Sequence, residues 1–317
     1  MRLSAADCLR RGWTNLAANW ELVLLQWLES LLVAVLLVLS VALPVATLGA
    51  DALLAGRSAA RVLDVAGARL GQLSPAVMLA GVAMVAVWLL SLLVHCWFQA
   101  GAYGVLAAAD REALPGPGRH RLLFRTFSLR DFAGWGGLYL WRFFRLLALF
   151  WVLALPLGIA VLVWLVSLGV GGEVWGQRAV LGMGCGGALP LGFLFLVAGL
   201  WSHVARADLA REGSGVRAAA RRGLAVLGRR LGAVVVLVLP VAAAGLGLAL
   251  VFVPVSALPE LLLVGAPRLR VLVRVVLFLL QGLPSALLAM VLASSLVALV
   301  RSEGRREIRR KPEVQTA

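Results

Sequence analysis

The sequence predicts an all-α polytopic membrane protein with six transmembrane helices. They are arranged as three repeats of an interfacial amphipathic helix followed by a helical hairpin. Three observations carry this expectation. Hydrophobic residues make up 62% of the 317 and the mean hydropathy is +0.96, against roughly 45–50% apolar residues in a globular chain. Six apolar runs reach the length of about 20 residues that a helix needs to cross a bilayer core. The cationic residues gather on alternate connections between those runs.

The first element begins at Ser4-Ala-Ala-Asp7, an S-x-x-D helix start in which serine and acid satisfy free N–H groups. After it, Leu9, Trp13, Leu16, Trp20, Val23 and Trp27 alternate by four and three, one face of a helix. Arg10, Arg11, Asn15 and Asn19 fall elsewhere. Indoles beside arginines suit a helix lying at headgroup level. The first span follows at 22–48 and is far longer than the roughly 7–15 apolar residues of a signal peptide, so it reads as a retained span. The remaining spans are expected at 75–100, 146–170, 180–204, 231–253 and 271–300. Pro44, Pro156 and Pro240 lie in the odd-numbered spans and are expected to kink them. A second amphipathic helix is expected to start at Ser128-Leu-Arg-Asp131. A third, with Val216, Ala219, Ala220, Leu224 and Leu227 apolar, carries Arg217, Arg221, Arg222, Arg229 and Arg230.

The connections set the threading. The chain holds 30 cationic residues, all arginine except Lys311. Of these, 23 lie on the side of the two termini and 7 on the other. Cationic loops stay in the cytoplasm, so both termini are expected there, in a bacterial cytoplasmic (inner) membrane. A shift of 124 places Ser4 on Ser128, Gly12 on Gly136, and the start of the first span on that of the third, an internal repeat. A weaker third copy begins near Ser214, where Arg217 replaces the acid. The units are expected at about 1–124, 125–211 and 212–300, followed by a disordered basic tail, 301–317.

Most chemistry is excluded by what is missing. A net charge of +15 can signal nucleic acid, but here the arginines flank spans and no soluble basic domain exists. Cys8, Cys96 and Cys185 are scattered, with no zinc or disulfide spacing. Gly182-Met-Gly184-Cys-Gly186-Gly187 fits G-x-G-x-x-G literally. It lacks the strand before it and the acid about twenty residues on that a dinucleotide site needs. No G-x-S-x-G, H-E-x-x-H or P-loop is present. The sequence calls for no cofactor, no metal and no catalytic residue.

Ionisable and amide side chains inside spans are functional candidates. They are Glu29, His95, Gln99, His203 and Gln281. Glu29 is either inside the first span or at its cytoplasmic boundary. If buried, it requires a partner. His95 and His203 both lie late in returning spans. Gln99 and Gln281 suit interhelical hydrogen bonds, and Ala243 with Gly247 suits close helix packing.

Three stretches, Gln99-Ala-Gly101-Ala-Tyr-Gly104, the aromatic and basic run 132–145, and Ala207-Asp208-Leu-Ala-Arg211-Glu212-Gly213, carry a family likeness. In them the chain resembles a broad group of six-span bacterial membrane proteins, and the membrane domain fused to some glycerophosphodiester phosphodiesterases. The resemblance implies a fold and a weak lipid connection. The phosphodiesterase catalytic domain is absent, so lipid hydrolysis is not implied.

The functional expectation is a non-enzymatic membrane protein that binds or organises anionic lipid, or supports a protein partner or a second copy of itself. The expected headgroup contacts are Arg10, Arg11, Arg142, Arg145, Arg217, Arg221, Arg222, Arg229 and Arg230. The alternative is a transporter with a pathway near Glu29 and the proline-bearing spans. An intramembrane enzyme comes third.

Overall fold

The computed structural model describes residues 3–50, 54–56, 58–70, 74–115, 122–262 and 265–310. Arg2, Arg57, Arg119, Arg121 and the tail from Lys311 onward lie outside the described residues. So do the side chains of Arg178, Cys185, Arg305, Arg306, Arg309 and Arg310. Seven helices follow in order among the described residues: α1 (Ala5–Ala18), α2 (Glu21–Leu48), α3 (Ala59–Leu70), α4 (Pro75–Glu112), α5 (Leu129–Glu212), α6 (Val216–Leu262) and α7 (Pro267–Arg310). Between α4 and α5, β1 (Leu114–Pro115) pairs antiparallel with β2 (Leu122–Leu123). Six helical stretches are long and apolar enough to cross a membrane. The chain is therefore a multi-pass helical membrane protein by its own composition and length.

Local chemistry fixes the helix ends. Ser4 and Asp7 close the expected capping box, each side chain satisfying the other's backbone N–H. Ser128 accepts from the Asp131 N–H at the start of α5. α1 ends at Asn19, whose φ −129° and ψ 41° break the helix before α2 begins. α6 contains a comparable break at Arg230, with φ −130° and ψ 24°. The helices run through Pro44, Pro156 and Pro240, so the α6 break falls ten residues before its expected proline.

α5 covers 84 residues, and within it the ring of Trp164 rests on Gly187. In a straight helix those residues would stand about 35 Å apart. The chain therefore reverses between them, and α5 supplies two spans. Arg142, near its start, donates to the Gly213 carbonyl just past its end at 2.6 Å, which confirms the return. The connection after the first span is not a plain loop. It contains α3, whose Val62 and Ala66 are buried, and whose Arg69 donates to the Leu48 carbonyl at the end of α2 at 2.8 Å.

The two ends of the bundle differ. Only 11% of the most apolar window is buried in the first, second and fifth spans. Leucines and valines there face outward along the whole belt, as lipid contact requires. The continuous core lies at the terminal end of the bundle. There Ala100 through Asp110 of α4 is buried without a break, against Val204, Leu209, Leu296, Leu299 and α1. Helix α7 continues past 300 to Arg310, and Arg301 and Ser302 pack inside. Glycines allow the close approaches. A Cβ on Gly12 would lie 2.7 Å from the Ser295 Cα, on Gly136 2.8 Å from the Trp97 ring nitrogen, and on Gly223 3.1 Å from the Ala205 Cβ. Ala243 and Gly247 are exposed, and a Cβ on Gly247 would meet nothing within 4 Å, so that small-residue pair makes no close crossing within the chain.

Candidate functional site

Four of the five intramembrane candidates converge. Gln26 and Glu29 sit three apart on α2, and His95, Gln99 and Tyr103 recur every four residues along α4, so each set shares one helix face. His95 Nδ1 lies 2.7 Å from Glu29 Oε1. Gln26 donates to Glu29 Oε2 at 2.5 Å, and Gln99 Nε2 donates to Gln26 Oε1 at 2.9 Å. One turn further, the Tyr103 hydroxyl meets His203 Nδ1 of α5 at 2.9 Å. Glu29 is 2% exposed, so its carboxylate is interior and His95 is the partner that burial demands. On the outer side of α2, Leu24, Leu28 and Leu32 bracket it and are exposed. Glu29 thus lies within the belt of outward-facing leucines. Gln281 is not brought to this cluster. It is half-buried on α7, beside Gly282, where the Trp27 ring packs.

The motif Gln99-Ala-Gly101-Ala-Tyr-Gly104 acquires a physical meaning here. Gly101 and Gly104 leave room for rings of α5. A Cβ on Gly101 would lie 2.8 Å from Phe132 Cε2, and one on Gly104 2.6 Å from Trp135 Cγ. Phe132 also meets Trp97 edge to face at 5.3 Å between centroids.

A second cluster, absent from the sequence reading, surrounds Asp110, which is 1% exposed. Arg11 Nε donates to Asp110 Oδ1 at 2.5 Å, and Arg301 Nη1 to Oδ2 at 3.1 Å. Both arginines also reach the Asp110 backbone carbonyl. Asp110 therefore ties α1 and α7 to α4. The visible signal is the recurrence of Ala-Asp at 109–110 and 207–208. Asp208 is likewise buried and receives Arg222 Nε at 3.0 Å. Asn15 and Asn19, set aside as off the apolar stripe, in fact face inward. Asn15 donates to the Leu106 carbonyl and Asn19 to the Arg125 carbonyl.

The nine arginines expected at headgroups divide in two. Arg11, Arg142, Arg222 and Arg230 make internal bonds, to Asp110, the Gly213 carbonyl, Asp208 and Glu303. Arg10, Arg145, Arg217, Arg221 and Arg229 are exposed. Trp13, Trp20, Trp141 and Leu224 are also more than half exposed on the same helices or at their ends. The stripe read from spacing is therefore split, with Leu16 and Val23 buried and the indoles of Trp13 and Trp20 outside.

Among the described residues no group of three His, Cys, Asp or Glu stands close enough to hold a metal ion. A shallow, half-open hollow lies away from Glu29, lined by Asn19, Arg125, Ser128, Asp131 and Trp135 among others. Burial pushes the Cys8 thiol in α1 up to about 11; Arg230 acts in the opposite direction. No family model, curated protein or solved structure matches the chain.

Proposed function

We propose that this chain is a non-enzymatic protein of the bacterial cytoplasmic membrane that gathers anionic lipid around its cytoplasmic end. The observation that carries the reading is the pairing of exposed arginine with exposed apolar side chains on three surface helices. Arg10 stands three residues from Trp13, Arg145 four from Trp141, and Arg221 three from Leu224, all exposed. On a helix those spacings put cation and apolar group on one face. That face matches the boundary between headgroup and acyl chain. Each such arginine near an anionic leaflet contributes about 1 kcal/mol of attraction. The arginine imbalance between the two sides supports a cytoplasmic location for this end and both termini.

The three surface helices belong, in this reading, to three copies of one unit. Gly12, Gly136 and Gly223 each stand seven residues after the first residue of α1, α5 and α6. Each is the point of close approach to a returning span: Gly12 to α7, Gly136 to α4, Gly223 to the second span of α5. The breaks at Asn19 and Arg230 also fall at one position, fourteen residues after those starts. This register sets the third copy one residue later than the serine alignment of Ser4 with Ser214. The contacts then close a ring, each unit's surface helix lying on the last span of the unit before it.

The test is lipid retention by the full chain purified in mild detergent and weighed intact by native mass spectrometry. Replacing Arg10, Arg145, Arg217, Arg221 and Arg229 together with Gln should strip bound phosphatidylglycerol and cardiolipin and leave the fold melting normally. Retention equal to wild type would remove this proposal.

A further inference from the structure

The amide pair Gln26–Gln99 already ties α2 to α4 without charge. The carboxylate and imidazole beside it serve something an amide cannot. A lone charge in the apolar zone costs several kcal/mol. The 2.7 Å contact between Glu29 Oε1 and His95 Nδ1 holds only with a proton between the two atoms. That proton leaves the pair singly negative when the ring is neutral with its N–H at Nδ1, and the pair is neutral when the ring or the carboxyl carries one proton more. The two members differ in burial: the Glu29 side chain is 3% exposed and that of His95 30%.

We propose that Glu29 and His95 form a proton-binding site whose occupancy sets the net charge held between the first and second spans. The balance is simple. Removing a proton from the neutral pair leaves a carboxylate accepting from the Nδ1–H of a neutral ring, with one uncompensated charge. Adding a proton to it leaves a carboxyl facing an imidazolium, again with one net charge, so each step changes the charge held between the two spans. The other ionisable groups near the site are Cys96 and Tyr103 on α4, and His203 and Arg206 on the second span of α5. The adjoining stretch of α7, from 275 to 300, carries none. His203 lies within electrostatic reach of His95 and Arg206, and its ring holds the Tyr103 hydroxyl, so the third helix senses the same charge.

The experiment uses the full chain in nanodiscs of phosphatidylcholine and phosphatidylglycerol. Infrared difference spectra are taken over the range of about pH 5 to 8 in which imidazole changes charge. The wild type should show carboxyl and imidazole bands changing together. Glu29→Gln should abolish the carboxyl change, and His95→Gln should uncouple it from pH over this range. If Glu29→Gln fails to fold, Glu29→Asp keeps a carboxyl but withdraws it from the ring, and must move the band. A wild-type carboxyl band that is flat over this range overturns the proposal, as does one that survives Glu29→Gln or is unmoved by Glu29→Asp.

Discussion

Replacing Asp110 with Asn tests whether the terminal end of the bundle is held by buried charge. The carboxylate lies between Arg11 and Arg301, at 2.5 and 3.1 Å, with side chains 1% exposed for the acid and 14% for each arginine. Arg211 is buried nearby, 12% exposed, with Nε and Nη1 lacking hydrogen-bond partners. Asn keeps the shape and an acceptor oxygen, and it removes the anion. Arg11 and Arg301 are then left in a poorly solvated site with no carboxylate between them, while Arg211 keeps Glu212 at 3.5 Å. Breaking a buried pair from one side costs about 3–5 kcal/mol. The retained acceptor puts the expected loss near the lower end, about 3 kcal/mol, or roughly two decades in the folded-to-unfolded ratio. Glu112→Gln is the internal control. Its contact with Arg125 is 3.5 Å long, with side chains 55% and 48% exposed, and such surface pairs contribute about 0–1 kcal/mol. Unfolding in mixed micelles by a titrated denaturing detergent reads both variants. The double variant Asp110→Asn with Arg301→Gln should lose less than the sum of the singles, because it removes one of the stranded cations. An Asp110→Asn loss equal to that of Glu112→Gln would refute the reasoning.

Gly12→Ala forces a Cβ against the Ser295 backbone and should cost about 1–3 kcal/mol. Gly137→Ala, where a Cβ meets nothing within 4 Å, should gain about 0.5–1 kcal/mol from helix propensity; both are read as shifts in melting temperature. The Cys8 thiol, ordinary value 9.0 and folded value about 11, ionises less readily when folded than when unfolded. It therefore favours the folded state fully below pH 9.0, and that contribution is lost as pH rises through about 11. Alkaline melting curves of Cys8→Ala should be flatter by about 2–3 kcal/mol over that window. Alkylation of Cys8 in the folded wild type at neutral pH should be correspondingly slow.

The spans were legible because lipid imposes a strong compositional rule: about twenty apolar residues with all backbone groups bonded internally. The serine caps at Ser4 and Ser128 were legible for a local reason, since cap and acid sit within one turn. The sequence left Glu29 open between the span and its boundary, because a glutamate near the start of an apolar run fits either place. Its pairing with His95 was not legible, because the two are 66 residues apart and only the packing of α2 on α4 joins them. Asp110 was missed for a related cause. It stands among charged residues at the end of an apolar run, where exposure is the ordinary outcome, and long-range arginines reverse it. The stripe of α1 shows the limit of periodicity. Its spacing gives one apolar face, but in a membrane the apolar face can point outward and the interior can be small and polar. Cys8, Gly12, Asn15 and Asn19 form that interior. α3 escaped notice because its run of 12 residues is short, mixed in polarity and lies in a connection.

The account depends on which end of the bundle faces the cytoplasm. Single cysteines at Leu54, 87% exposed between α2 and α3, and at Leu114, 64% exposed after α4, sample the two sides in a background with Cys8, Cys96 and Cys185 replaced by Ser. With a membrane-impermeant maleimide on intact spheroplasts, Leu54→Cys should label at once and Leu114→Cys only after permeabilisation. Labelling of Leu114→Cys from outside, with Leu54→Cys protected, would contradict the threading and, with it, the lipid-facing arginines.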